Sequence, residues 1–349
     1  MSESFVEELP RAFGGPVGSG VIRTVPEDFI VDEIPSVEPS GEGEHCLLHI
    51  QKRNNNTDWV AKQLSRLAGV HPRDVSYAGQ KDRHAVTRQW FSVRMAGRVE
   101  PDWAALNTDG ICVLQCERHN RKLKRGALRG NRFTITVRDF TGDQQALARV
   151  LEQIKIQGMP NYFGEQRFGN QDGNIQSAQA LFAGELKRVP RHKRSHYLSA
   201  ARSLLFNQLL AVRVADGSWN RILPGERCLL DGSRSSFIAE QMDDVLAQRC
   251  QEMDIHPSGL LWGRGDQDVT DEVLALESRV LADYQAWMEG LERFGLEKER
   301  RSLRAKVESL EWDFDGDRLT LGFTLPKGSF ATVLLRELLD YREAGRGGQ

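Results

Sequence analysis

Strand-like patterns lie at both ends of this chain, and helical patterns fill its middle. Alternating apolar and polar residues predict strands at 21–23, 29–34, 45–52, 89–93, 111–116 and 133–137. Apolar residues at helical spacing then predict helices at 144–156, 174–182, 198–214 and 281–294. Strand patterns return at 307–314 and 319–325, before a last helix predicted at 330–341. This order indicates that the two ends build one domain and that the middle is inserted into it.

Local signals refine these elements. A further helix is predicted from Thr57, whose hydroxyl can cap it, to Gly69, where the helical spacing stops. Ser329 is predicted to cap the last helix. The segment 77–85, YAGQKDRHA, is polar and predicts a loop between strands. The final residues, 344–349, are expected to be disordered.

The length of 349 residues suits two domains of ordinary size. Five cysteines form a sparse, odd-numbered set, which favours a reducing compartment over a disulfide scaffold. The first residues, MSESFVEELPRAF, carry acids and lack the basic start and apolar run of a signal peptide. No apolar run approaches the roughly 18 residues that span a bilayer. We therefore expect a soluble, cytoplasmic protein without a membrane partner.

Positive charge is concentrated in two segments, although Lys and Arg (47) nearly balance Asp and Glu (49) over the whole chain. The first basic tract, residues 118–138, contains eight Lys or Arg and no acid. The second basic tract, residues 187–202, contains six and no acid. Segregated positive charge is typical of surfaces that bind nucleic-acid phosphates. A basic run can equally be a solvated face, so both interpretations stay open.

The sequence lacks the common metal and cofactor motifs. His192 and His196 have the i, i+4 spacing of a helical metal site, but the Lys and Arg around them would repel a cation. No CxxC pair, P-loop or GxSxG elbow occurs, and no glycine-rich loop follows a strand and opens a helix. We therefore predict no metal, no redox cofactor and no nucleotide cofactor.

Two groups of carboxylates are candidates for catalysis. The segment PEDFIVDE (26–33) would allow a two-metal nuclease if other segments contributed, although acids on an edge strand are commoner. Asp82 lies in GQKDR (79–83), directly between a lysine and an arginine that favour its ionised form. Such a carboxylate could act as nucleophile or base on a nucleotide, or could form an ion pair within a turn.

Seven separated segments together resemble one family, the TruD type of tRNA pseudouridine synthase. They are PEDFIVDE (26–33), GEHCLLHIQKRNNNT (43–57), SYAGQKDRHAVTRQWFSV (76–93), RHNRKLKRGALRGNRFTI (118–135), PNYFGEQRFGN (160–170), SAARSLLFNQ (199–208) and LPKGSFATVLLREL (325–338). They follow the family order through most of the chain, and the combination is far more specific than any single motif.

The resemblance implies an α+β fold. A pseudouridine synthase catalytic domain, with a mixed, largely antiparallel sheet and flanking helices, would comprise residues 1–157 plus 307–349. An inserted α/β TruD-specific domain would occupy residues 158–306. The two basic tracts would then lie on either side of a cleft and clamp tRNA.

The resemblance also implies an activity and its residues. The protein would be an isomerase that converts uridine 13 in the D arm of tRNA into pseudouridine without any cofactor. The catalytic aspartate corresponds to Asp82, and Arg23, where the family often has lysine, is its expected ion-pair partner. The implied substrate-binding residues are Phe29, Asn131, Phe133 and Phe330, although a phenylalanine taken alone is more often a core residue.

Further expectations concern partners. Residues expected to contact RNA are Lys122, Lys124, Arg125, Arg129, Lys193 and Arg194. We expect a monomer that binds tRNA. The rival functions are a non-catalytic RNA-binding or assembly protein and a metal-dependent RNA nuclease.

Overall fold

The structure is a computed structural model that describes residues 9–344. The expected disorder of 344–349 concerns residues that lie, except for Ala344, outside the described chain. The strands are β1 (Gly18–Ile22), β2 (Phe29–Pro35), β3 (His45–Arg53), β4 (Val75–Tyr77), β5 (Val86–Arg94), β6 (Ile111–His119), β7 (Leu128–Gly142), β8 (Met159–Pro160), β9 (Glu226–Leu230), β10 (Ser236–Ala239), β11 (Ile255–His256), β12 (Ser258–Leu261), β13 (Glu299–Ser302), β14 (Arg304–Ala305), β15 (Glu308–Asp315), β16 (Arg318–Pro326) and β17 (Leu339–Glu343). The helices are α1 (Thr57–Leu67), α2 (Gln144–Gln157), α3 (Gly173–Phe182), α4 (Arg191–Ala215), α5 (Asp244–Gln251), α6 (Asp271–Leu281), α7 (Gln285–Arg293) and α8 (Ala331–Leu338).

The chain divides into two compact units. The sheet unit consists of Val17–Leu147, Val307–Gly328 and Leu339–Gln349. The helical unit consists of Met1–Pro16, Ala148–Lys306 and Ser329–Leu338. The assignment of 1–157 plus 307–349 as a catalytic domain and of 158–306 as an inserted domain stays a prediction.

A ten-stranded sheet forms the sheet unit, with the central order β15-β16-β7-β2-β5-β3-β6. β4 pairs with β5, and β1 lies between β7 and β17. All pairs are antiparallel except β2 with β5 and β1 with β17. The predicted α+β class with a mixed, largely antiparallel sheet is therefore confirmed.

Helix α1 covers one face of this sheet. Val60 and Leu64 lie one turn apart on the helix, and both are fully buried in a cluster with Leu48, Ile50 and Phe91. Burying a side chain of this size contributes about 1.5–3 kcal/mol. The helix therefore fixes the strands β3 and β5, whose residues Lys52 and Gln89 contact the loop 78–85 that joins β4 to β5.

The long helix α4 organises the helical unit. Leu204 and Leu210 face one apolar cluster, and Leu205 and Leu209 face a second one. A helix that is apolar on two sides must be covered on both, which makes α4 the central element. Near its end Arg213 forms a buried 2.9 Å ion pair with Glu226 at the start of β9.

Several local expectations were wrong. Thr57 does not cap α1, because its hydroxyl binds the side chain of Gln89 instead. Ser329 does not cap the last helix either, since its hydroxyl donates to Asn161. That helix ends at Leu338, and the chain continues as the strand β17. The predicted helix 281–294 is interrupted by a 3-10 turn, Ala282–Tyr284, between α6 and α7.

The remaining predicted strands and helices are present with shifted ends, most visibly α4, which begins at Arg191. Within residues 9–344, none of the helices combines the length and the apolar character that crossing a bilayer requires.

Candidate active site

Asp82 lies in the loop 78–85 between β4 and β5 of the sheet unit. Its side chain is 42% exposed, so a substrate can reach it. Its Oδ2 accepts a hydrogen bond of 2.8 Å from Nη2 of Arg23. Such a charge-assisted contact is stronger than a hydrogen bond between neutral groups. Asp82 thus combines an accessible oxygen with a fixed counter-ion.

Arg23 directly follows β1 and has a φ of +60°, in the left-handed region that non-glycine residues rarely adopt. Its Nη1 donates to the carbonyl of His84 at 2.9 Å, and its Nε lies 3.4 Å from Oε1 of Glu343. Its guanidinium carbon lies 3.7 Å from the ring centre of Phe29. A planar fork can make all these contacts at once, whereas a lysine ammonium is a single point charge. The expected partner of Asp82 is therefore beside it and held from several directions.

Lys52, at the end of β3, lies beneath the same loop and is completely buried. Its Nζ donates to the carbonyl of Asp82 at 2.6 Å and to that of Lys81 at 3.4 Å. Burial lowers the pKa of Lys52 from 10.5 to about 8; the charge of Asp82 opposes this decrease and that of Lys81 adds to it. Near neutral pH a second cation is therefore fixed to the main chain of Asp82.

Buried polar contacts hold the rest of the loop. Nζ of Lys81 forms an ion pair of 2.6 Å with Oε2 of Glu33, and both side chains are almost fully buried. The hydroxyl of Thr57 accepts a hydrogen bond from the amide of Lys81 and donates one to Gln89. Nε2 of Gln89 in turn donates to the carbonyl of Gly79. Such a connected network rigidifies the segment that carries Asp82.

Sequence reasoning did not select Lys52, and it considered Glu33 only as one of the carboxylates of 26–33, although the strand pattern contains a signal for both residues. Lys52 is the next inward-facing position after Ile50 in β3. Glu33 is likewise the next inward position after Val31 in β2. A charge on the apolar face of a strand must find a partner, because burying it alone is costly. This rule would have identified both residues.

Three of the implied substrate-binding residues belong to the sheet unit. Phe29 and Phe133 are buried and meet edge to face with ring centres 6.2 Å apart, and Phe133 stacks on Phe323 at 5.3 Å. Asn131 pairs with Glu33 across β2 and β7. Its Oδ1 is buried and has no hydrogen-bond partner within the described chain. The two rings are thus part of the core, and Oδ1 of Asn131 is a buried acceptor without a partner among the described residues.

Phe330 belongs to the helical unit, where it is partly exposed. Its ring meets that of Phe163 edge to face at 6.2 Å. The guanidinium carbon of Arg167 lies 5.9 Å from the Phe330 ring centre and 5.2 Å from that of Phe163. Phe330 therefore has aromatic and cationic neighbours in its own unit.

The basic tracts are largely on the surface. Arg118 and Arg138, at the ends of the first tract, pair with Glu100 and Asp28. Within that tract, Nζ of Lys122 donates to a main-chain carbonyl. The residues expected to contact RNA are all exposed, namely Lys122, Lys124, Arg125, Arg129, Lys193 and Arg194. The charges needed for phosphate binding are thus available on both units.

The carboxylates of 26–33 do not form a metal site. Each of the four pairs with a cation of the sheet unit: Glu27 with Arg53, Asp28 with Arg138, Asp32 with Arg88 and Glu33 with Lys81. Oxygens engaged in this way are not free to ligate a metal. The nuclease interpretation of this segment therefore loses its proposed ligands.

Within residues 9–344, one group of side chains has metal-like spacing: Cys46, Glu100 and Cys116 lie within 4.8 Å of one another. The Cys46 sulfur and burial raise the pKa of the Cys116 thiol, and Sγ of Cys116 donates to Oε1 of Glu100 at 3.2 Å. Glu100 already accepts from Trp103 and pairs with Arg118. The contacts indicate a hydrogen-bonded protein cluster.

Comparison with known proteins relates this architecture to one family. The family model described as tRNA pseudouridine synthase D (TruD) matches residues 13–184 and 173–338. The chain is 51% identical over 340 residues to a tRNA pseudouridine synthase D of Methylococcus capsulatus, covering 97% of this chain and 96% of that protein. It is 50% identical over 339 residues to one of Nitrosococcus oceani, covering 95% and 94%. The crystal structure of a tRNA pseudouridine synthase D from Methanosarcina mazei has the same fold, with a TM-score of 0.66, 20% identity, and coverage of 95% and 94%.

Proposed function

This chain belongs to the tRNA pseudouridine synthase D family, and from that premise we propose that it converts uridine 13 in the D arm of tRNA into pseudouridine. We further propose the Asp82 carboxylate as the catalytic group. The observation that carries this choice is its geometry: an exposed carboxylate paired at 2.8 Å with a nearly buried arginine.

The reaction rearranges one nucleotide without adding or removing atoms. The bond between N1 of uracil and C1′ of ribose breaks, and a bond between C5 and C1′ forms. C5 loses a proton and N1 gains one, so the balance requires neither an oxidant nor a co-substrate. The protein must supply a group that either attacks C1′ of the ribose or removes the proton from C2′.

An ionised Asp82 could act by two routes. As a nucleophile it attacks C1′, releases the uracil, and is displaced by C5 after the base has turned. As a general base it removes the proton from C2′ while uracil leaves C1′, which gives a glycal; C5 then adds to C1′ and the proton returns to C2′. Both routes need an ionised carboxylate that is aimed at the ribose, and the contact with Arg23 holds the Asp82 side chain in one orientation.

The surrounding residues have separate proposed tasks. Arg23 orients the Asp82 side chain, and Lys52 fixes its main-chain carbonyl, so both are positioning residues. The uridine must leave the RNA stack to be reached, which costs a few kcal/mol that contacts in the site can offset. We assign Phe29, Asn131, Phe133 and Phe330 to substrate binding, as the family resemblance implies.

The test uses an unmodified tRNA transcript and carbodiimide mapping of pseudouridine. Wild-type protein should produce one modified position, 13, with RNA length unchanged and with full activity in chelator. Asp82→Asn keeps the shape and removes the charge, so its rate should fall at least about a hundredfold while tRNA binding persists. A variant with a tenth of the wild-type rate would exclude Asp82, and a product at another position would exclude uridine 13. Shortened RNA would support a nuclease instead.

A further inference from the structure

A small cavity of about 260 Å³ opens in the helical unit beside the end of α7. We call it the α7 pocket; it is lined by Leu181, Leu186, Lys187, Arg194, Arg293 and Phe294, among others. The volume is slightly below the roughly 300 Å³ at which small-ligand pockets begin. It therefore suits a single nucleotide-sized group better than a peptide segment.

The pocket has a positive lining. Lys187, Arg194 and Arg293 are all exposed, and no Asp or Glu is among the described lining residues. Arg293 uses Nη2 to donate to the carbonyl of Phe182 at 2.7 Å. Neither Lys187 nor Arg194 forms an ion pair in residues 9–344. Their charges are thus available to an anion that enters the pocket.

The pocket also contains an aromatic ring, Phe294, that two arginine side chains approach. The guanidinium carbons of Arg194 and Arg293 lie 5.9 and 5.8 Å from the ring centre of Phe294. Phe182 supports this ring from inside the unit, with ring centres 6.2 Å apart. A ring backed by protein and flanked by cations offers a stacking surface next to phosphate-binding groups.

A second arginine–phenylalanine pair in the same unit shows the same contact with the arginine charge balanced by a neighbouring carboxylate. The guanidinium carbon of Arg249 lies 5.7 Å from the ring centre of Phe237. Arg249, however, forms a 2.6 Å ion pair with Asp254, which neutralises it. The positive charge of Arg249 is thus balanced within the protein by Asp254. The arginines beside Phe294 have no carboxylate among the residues that line the pocket.

We propose that the α7 pocket binds one nucleotide of the RNA substrate other than the target uridine, with the base against Phe294 and a phosphate on Arg194 and Lys187. This rests on the proposed function, since it takes the substrate to be RNA. Its three cations and lack of lining acids make RNA the complementary occupant. The pocket therefore contributes to substrate affinity and takes no part in the chemical step.

The test measures tRNA binding at several salt concentrations, together with the kinetics of pseudouridine formation. Arg194→Gln should weaken binding severalfold and lower the slope of log Kd against log salt by about 0.7–0.9, the value for one lost phosphate contact. Phe294→Leu should weaken binding about fivefold or more without changing the slope, because stacking is not ionic. In both variants KM should rise and kcat should stay at the wild-type value. The controls Arg249→Gln and Phe237→Leu should leave the Kd for tRNA, its salt slope, KM and kcat at the wild-type values.

The outcomes are distinct. If Arg194→Gln matches Arg249→Gln in Kd and slope, the pocket does not bind a phosphate and the proposal fails. A fall in kcat with unchanged KM would also overturn it. If Phe294→Leu proves unstable, the Kd and the salt slope of Arg194→Gln still test whether the pocket binds a phosphate. If wild-type protein forms no pseudouridine, the proposed function fails. The tRNA affinities of the variants still test the pocket, because they do not depend on catalysis.

Discussion

The buried Lys52 beneath the loop 78–85 leads to a prediction in which stability and activity change in opposite directions. Lys52→Met removes the ammonium group and keeps a long apolar side chain at a fully buried position. We expect the variant to be as stable as wild type or slightly more stable at pH 7. We expect its kcat to fall, because the carbonyl of Asp82 loses its 2.6 Å donor.

The magnitude follows from the pKa. The decrease from 10.5 to about 8 means that keeping Lys52 charged costs the folded state about 3 kcal/mol below pH 8. The variant escapes this cost but loses hydrogen bonds to two carbonyls, worth about 1–3 kcal/mol. The net change in the free energy of unfolding at pH 7 is therefore between about 0 and 2 kcal/mol in favour of the variant.

The pH dependence has a definite sign. Between pH 8 and 10.5 the unfolded chain still holds the Lys52 proton that the folded chain releases. Wild-type stability should therefore rise with pH relative to the variant, by at most about 1.4 kcal/mol per pH unit. Below this window both states are protonated, and above it both are neutral, so the difference between the proteins becomes constant.

Urea unfolding at pH 7, 8, 9 and 10 measures the difference in free energy of unfolding between wild type and Lys52→Met. All other titrating groups are common to both proteins, so their contributions cancel in this difference. Single-turnover assays should show a rate about 10–100-fold lower for Lys52→Met, with tRNA affinity retained. Lys62→Met, at an exposed position of α1, is the control and should change neither property. Parallel stability curves for wild type and Lys52→Met, or an activity loss that only follows a loss of folded protein, would refute the reasoning.

Two further predictions concern substrate binding. Alanine at Lys122, Lys124 and Arg125 together should weaken tRNA binding and lower its salt slope by about two to three, measured by titration; an unchanged slope would identify a solvated face. Asn131→Ala should leave the Tm nearly unchanged, because its buried Oδ1 bonds to no described residue, and should lower kcat/KM about tenfold. A large fall in Tm without loss of kcat/KM would contradict a role in binding.

The sequence predicted local features well and long-range ones less well. The strands around Phe29 and Phe133 follow from alternation, and helix α4 follows from its apolar spacing. The predicted helix 330–341 included the first three residues of β17. The partner of this strand, β1, lies some 320 residues earlier in the register Gly18 to Leu339, which no local pattern encodes.

The candidate site shows the same limit. The contact between Arg23 and Asp82 was anticipated through the family resemblance, since the two residues are 59 positions apart. The role of Lys52 was missed because a lysine in a strand is ordinarily taken as solvent-exposed. The hydroxyl of Thr57 suited a helix cap locally, but tertiary contacts with Gln89 and the loop took precedence.

The parallel pairing of β1 with β17 has a consequence for how the protein is made. Arg23 follows β1, and Glu343, which lies 3.4 Å from its Nε, is the last residue of β17. During translation the loop with Asp82 is therefore synthesised long before the strand that completes the surroundings of Arg23. Nascent chains and prematurely terminated products lack this strand, so we expect the enzyme to acquire its active geometry only when translation has passed residue 343.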